Sequence, residues 1–197
     1  MRKIFTFFLF SIIFVSNNNY LYSIEPNIFI QSTVNRATST LSGNLTKEER
    51  ISELKQIAKD TVDITGIGYY SLGSHRKALE KDQLSKYNKV FEEYFLKSFS
   101  SRLAEYSNPE IEVISMNRLN KNYTIVLSKL VSTDTRPEVK IEWRVYTKNP
   151  ENLLIRDLII EGLSLARTQK EEFNSIINSN NGNIGALLEN LTNFSTE

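Results

Sequence analysis

The stretch IRDLIIEGLSLARTQKEEFNSII, Ile155–Ile177, changes its period part way along. Up to Glu161 it reads as a strand, with Asp157 and Glu161 four residues apart and so on one face, shared with Ile155, Ile159 and Leu163. Beyond Thr168 the apolar residues Phe173, Ile176 and Ile177 fall at helical spacing, and Thr168 with Glu171 has the form of a capping box. A strand that passes into a helix through Glu161-Gly162-Leu163-Ser164 sets a sheet beside a helical layer. The flanking sequence must supply partners for both.

Upstream, three more segments alternate with period two: IEVISM from Ile111, YTIVLSKLV from Tyr123 and VKIEWRVYT from Val139. They are separated by Asn120-Lys121-Asn122, by Thr133 to Pro137 and by Asn149 to Asn152, all turn-forming chemistry. With LLIRDLIIEG from Leu153 they predict an antiparallel meander of about four strands. In the third segment Val139, Ile141, Trp143 and Val145 face one way while Lys140, Glu142 and Arg144 face the other. One face should be buried and one wet.

Helical patterns bracket the sheet. Ile30, Val34, Ala37 and Leu41 stop at Gly43, and Thr46 with Glu49 forms a capping box ahead of Ile51, Leu54, Ile57 and Ala58. Asp82 reads as the N-cap of a long helix to about Tyr106 whose stripe is Tyr87, Phe91, Phe95, Phe99 and Leu103. After Gly182 a last stripe runs through Ile184, Leu187, Leu188 and Leu191. The order helices, sheet, helices predicts an α+β domain with helices packed on one face of the sheet.

The chain of 197 residues is 40% hydrophobic and 24% charged and has no cysteine. Residues 1–23 hold a short basic head, Arg2-Lys3, then the apolar run Ile4–Val15, shorter than the roughly 20 residues a spanning helix needs. That layout predicts a secretory leader ending at Ser23, and a soluble domain over residues 24–197. An uncleaved membrane anchor is the alternative. Without cysteine, neither disulfides nor thiolate metal sites contribute, so packing must stabilise the domain. After the leader, acids and bases nearly balance, which argues against nucleic-acid partners and polybasic membrane adhesion.

Candidate chemistry is sparse. Gly66, Gly68 and Gly73 precede no Gly-Lys-Ser/Thr ending and follow no strand, so close helix packing explains them better than a phosphate loop. A Ser164–His75–Asp157 triad lacks the nucleophile elbow, and a single histidine leaves no plausible metal set. Asp157 with Glu161 has the look of a carboxylate pair, but a structural role fits as well. Asn-x-Ser/Thr sites at Asn44, Asn122, Asn190 and Asn193 carry little weight in so asparagine-rich a chain. No catalytic residue, metal or cofactor is assigned from the sequence. What stands out is aromatic and aliphatic surface facing inward, which is equally a solid core or the wall of an apolar pocket.

Four stretches together resemble the MlaC family of periplasmic phospholipid-binding proteins, also called the toluene-tolerance auxiliary family. They are Gly68-Tyr-Tyr-Ser-Leu-Gly73, Phe91–Tyr106 ending Leu-Ala-Glu-Tyr, Arg136-Pro-x-Val139 leading to Trp143, and Asp157-x-x-x-Glu161-Gly162-x-Ser164 followed by Phe173. The likeness spans nearly all of the chain after the leader; the link Asn178–Asn183 is longer and more polar than the family's. It implies a periplasmic shuttle that carries phospholipid between an outer-membrane lipoprotein/porin complex and an inner-membrane ABC transporter with an MCE-domain ring, maintaining outer-membrane asymmetry. It also implies an apolar cavity between sheet and helices. Strand parity and family position together nominate Phe91, Phe95, Val139, Ile141, Trp143 and Leu163 as its walls, and Lys77 and Arg136 as headgroup or partner contacts. Two other classes remain open: a pocket isomerase using Asp157 with Tyr69 or Tyr70, and a ligand-free periplasmic adaptor.

Overall fold

Four long strands follow one another across the sheet in chain order: β1 (Ile111–Asn120), β2 (Tyr123–Leu130), β3 (Val139–Tyr146) and β4 (Leu154–Ile160). A two-residue strand, β5 (Leu163–Ser164), adds a fifth, all antiparallel. The computed structural model describes residues 24–107 and 109–196; the expected leader, residues 1–23, lies outside them. Among the described residues six α-helices accompany the sheet: α1 (Pro26–Ser42), α2 (Lys47–Thr61), α3 (Ile64–Leu72), α4 (Lys81–Leu103), α5 (Leu165–Ser179) and α6 (Ile184–Thr196). A 3-10 helix, Gly73–Ala78, joins α3 to α4. Among the described residues no helix is long and apolar enough to cross a membrane.

The α+β class and the meander are as expected, while several boundaries move for identifiable reasons. The long helix is capped by Glu80 rather than Asp82, because Glu80 and Gln83 form a reciprocal capping box, the Glu80 amide donating to Gln83 Oε1 at 2.9 Å. It stops at Leu103, not Tyr106. Helix α5 starts at Leu165, and its cap is Ser164, not Thr168. By contrast α2 begins as expected, with the Glu49 amide donating to Thr46 Oγ1 at 3.2 Å and the Thr46 amide donating to Glu49 Oε2 at 2.8 Å.

Glycine 68 sets the distance between two helices. A Cβ there would stand 2.8 Å from Phe91 Cδ1, so only hydrogen lets α3 lie against α4. The Tyr87 hydroxyl crosses the same contact and donates to the Gly68 carbonyl at 2.9 Å. Burial pushes that phenol far above the usual tyrosine range.

Packing divides into three clusters. A helical one gathers Ile67, Leu72, Tyr87, Phe91, Phe173, Ile177, Leu187 and Leu191 from α3, α4, α5 and α6. A second sets Ile30 and Val34 of α1 on Val126, Val145 and Ile155 of the sheet. The third joins Leu41, Leu54, Ile57 and Ala104. Leu130, Ile141 and Ile159 are buried yet belong to none of them.

Candidate functional site

The β4–β5 hairpin turns on Glu161 and Gly162, both left-handed, with φ of 49° and 81°. Two positive φ values in a two-residue loop match the right-handed twist of the flanking strands. Glycine adopts this freely, whereas for glutamate it costs on the order of 1 kcal/mol. The Glu161 carboxylate offsets part of that cost by accepting the Lys140 amide, and its own amide donates to the Lys140 carbonyl at 3.1 Å.

Asp157 and Glu161 do not form a pair. In the register Arg144 lies opposite Asp157, but Val145 lies opposite Ile155, so Arg156 is an extra residue in β4. Such a bulge re-aims the side chains next to it. Ile155 therefore joins the α1 cluster, while Asp157 shares the opposite face with Arg144. Glu161 is exposed in the turn and Asp157 is 3% exposed.

Asp157 is instead the centre of a hydrogen-bonded knot. Its Oδ2 accepts from Ser164 Oγ at 2.7 Å and from Arg144 Nη1 at 3.3 Å, and its Oδ1 accepts from the Ala166 amide at 3.0 Å. Ser164 Oγ in turn accepts the Arg167 amide at 3.1 Å, which caps α5. The serine proton is held by a carboxylate and His75 bonds to neither residue, so no triad assembles. Nor do the tyrosines serve as partners of Asp157. Tyr69 accepts from Asn88 Nδ2 at 2.9 Å and lies beneath Arg76, while Tyr70 is surface-exposed beneath Lys170. Among the described residues no group of three or more His, Asp or Glu is placed to hold a metal ion.

One residue back, the bulge residue Arg156 ties the helices to the sheet. Its Nε donates to Asp63 Oδ2 at 2.6 Å, its Nη1 to the Tyr123 hydroxyl at 2.8 Å, and its guanidinium lies 3.7 Å from the Tyr146 ring centroid. Asp63 caps α3 through the Gly66 amide, and its own amide donates to the Ile155 carbonyl.

The apolar face of the sheet is a set of cross-strand rows. Leu130 pairs with Val139; Ser128, Ile141, Ile160 and Leu163 form the next row; Val126, Trp143 and Leu158 the third; Thr124, Val145 and Ile155 the fourth. Helix α1 covers the fourth row and Val126. Trp143 packs against the edge of that cluster, and its indole Nε1 donates to Ser128 Oγ at 2.8 Å. The first two rows lie outside all three clusters.

Of the six residues expected to line a cavity, the structure brings Val139, Ile141 and Trp143 onto this face. Leu163 ends the second row at the sheet edge and is 53% exposed. Phe91 and Phe95 sit on α4, Phe91 buried among Tyr87, Phe95 and Phe173, and Phe95 stacked on Phe99 with centroids 5.7 Å apart. Lys77 is exposed in the 3-10 helix, while Arg136 closes the Thr133–Arg136 turn with its guanidinium 5.9 Å from the Tyr106 ring. Two open clefts, of about 600 and 280 Å³, lie along α1–α2 and beside Ile24 and Met116. None of the six residues lines either cleft. Ser128, Leu158 and Ile160 share this face without being singled out by the sequence pattern; parity from Trp143 across the register places them there.

The model of the MlaC protein family matches residues 31–193. No curated protein matches the chain by sequence. Among solved structures, a phospholipid-binding protein from Ralstonia solanacearum in complex with a phospholipid is similar, with a TM-score of 0.73 at 18% identity over 88% of this chain and 98% of that one. At that identity the likeness is one of fold.

Proposed function

The chain belongs to the MlaC family, and on that premise we propose that it is a periplasmic phospholipid-binding shuttle. It carries lipid between an outer-membrane lipoprotein/porin complex and an inner-membrane MCE-domain ABC transporter, and so helps keep the outer membrane asymmetric. The family match over residues 31–193 is the observation that carries this reading. The phospholipid bound to the similar Ralstonia protein supports phospholipid as the ligand.

Physical chemistry sets what such a shuttle must do. Two acyl chains of roughly fifteen methylenes each face on the order of 20 kcal/mol on entering water, at about 0.8 kcal/mol per methylene. The carrier must enclose the tails, whereas a charged headgroup stays in water at little cost. The apolar rows through Leu130 and Ile141, which join no packed cluster, are the surface this reading assigns to the tails. The knot around Asp157 holds the hairpin and α5 beside them, and this reading gives it a structural role.

Transfer between membranes tests the proposal. Labelled phospholipid should move from donor to acceptor vesicles faster as the protein is added, in proportion to its concentration. Transfer at the protein-free rate would reject the shuttle and leave a ligand-free adaptor.

A further inference from the structure

Strand β1 is an open edge. It pairs with β2 on one side and, among the described residues, with no strand on the other, so alternate backbone groups are left without a ladder partner. Exposed edges are commonly blunted by lysine or proline, and Ile111–Asn120 contains neither. Its apolar side chains stand in solvent instead, Ile114, Met116 and Leu119 being 54%, 44% and 55% exposed. Charge is graded along the same stretch. Glu110 and Glu112 stand at its start and Arg118 and Lys121 at its end, all exposed, with the apolar residues between them. Glu112 reaches Lys129 at 3.4 Å, whereas among the described residues neither Arg118 nor Lys121 has an acidic partner.

We infer that β1 is a homodimer interface, at which two copies of this chain join edge to edge with their β1 strands antiparallel. In that arrangement the acidic start of each strand meets the basic end of the other, around a shared apolar centre; a parallel copy would set like charges together. The two irregularities in the β1–β2 register, at Ile114 and Leu119, lie almost symmetrically about Met116, so antiparallel copies also bring kink against kink. The opposite edge is only the two-residue β5, so each copy offers one long edge and the pairing closes at two. A single strand pair covers less than the roughly 800 Å² per partner of a standard interface, which makes this a dissociable dimer with a Kd in the micromolar range.

Sedimentation equilibrium of the protein over residues 24–197, which include every element described, reads the association. The mass should rise from monomer to dimer with concentration and go no higher. Met116→Lys puts a charge at the centre of the contact on an exposed side chain, and should raise Kd at least tenfold with the urea midpoint unchanged. The double variant Glu110→Lys with Glu112→Lys, and the double variant Arg118→Glu with Lys121→Glu, each carry one sign of charge along the strand. Each should stay monomeric alone, and the two should associate when mixed in equal amounts. A wild type that is monomeric at all concentrations up to about 0.5 mM overturns the inference and leaves the edge to a strand of another protein. A dimer indifferent to Met116→Lys, or charge variants that fail to associate on mixing, places the contact elsewhere and overturns it too.

Discussion

Ser164 Oγ lies 2.7 Å from Asp157 Oδ2 and 3.1 Å from the Arg167 amide nitrogen, so one hydroxyl joins β4, the hairpin and the first turn of α5. The pair is structural, and its removal should be felt as stability. Asp157→Ala strips the acceptor from Ser164, Ala166 and Arg144 together and should cost about 3 kcal/mol. Ser164→Ala removes a cap and should cost about 1 kcal/mol. Because they share a hydrogen bond, the double variant should lose less than the sum of the two in urea unfolding. Strict additivity would contradict the knot.

Gly68→Ala should destabilise the fold by about 1–3 kcal/mol, although alanine is the better helix former by about 1 kcal/mol. The new Cβ would meet the Phe91 ring at 2.8 Å and force α3 from α4. The same urea curves report it, and a stabilised variant would mean that the helices lie farther apart.

Acid should weaken the helical layer in a defined direction. The Asp60 carboxyl is held below its usual range by hydrogen bonds from Arg36 and Gln56, and that of Glu105 by Lys47. A carboxylate whose folded pKa is depressed contributes stability above its unfolded pKa, near 4, and loses it as pH falls through the folded value. The urea midpoint should therefore be lower at pH 3 than at pH 6. In Arg36→Gln and Lys47→Gln the difference should shrink, and modestly, since both pairs are exposed.

Position along one row should decide how lipid loading responds to polar substitution. Ile141 is buried in the row that Leu163 ends at the edge. Ile141→Asn should reduce co-purified phospholipid at least tenfold, and Leu163→Asn less than threefold, as read by extraction and mass spectrometry. Equal losses would mean that Leu163 is enclosed when lipid is bound.

Much of this arrangement is legible in the residues. Val139, Ile141, Trp143 and Val145 alternate cleanly enough to fix both faces of β3, and Thr46 with Glu49 marks the start of α2. The bulge at Arg156 is not legible. One inserted residue sends Ile155 and Asp157 to opposite faces, and nothing in IRDLII marks it. The apparent pairing of Asp157 with Glu161 dissolves for another reason: β4 ends at Ile160, and Glu161 turns away in the left-handed region. The start of α5 is likewise not legible. Ser164 and Thr168 are both good caps, and what selects Ser164 is its bond to Asp157, a tertiary contact. Lys77 and Arg136 carry no sequence signal that separates a docking cation from a solvated one.

Native mass spectrometry of the protein over residues 24–197, purified without detergent and then denatured to release what it holds, tests the central claim most directly. The account predicts a stoichiometric adduct whose released mass is a phospholipid. A bare protein mass that persists after incubation with phospholipid vesicles would contradict it.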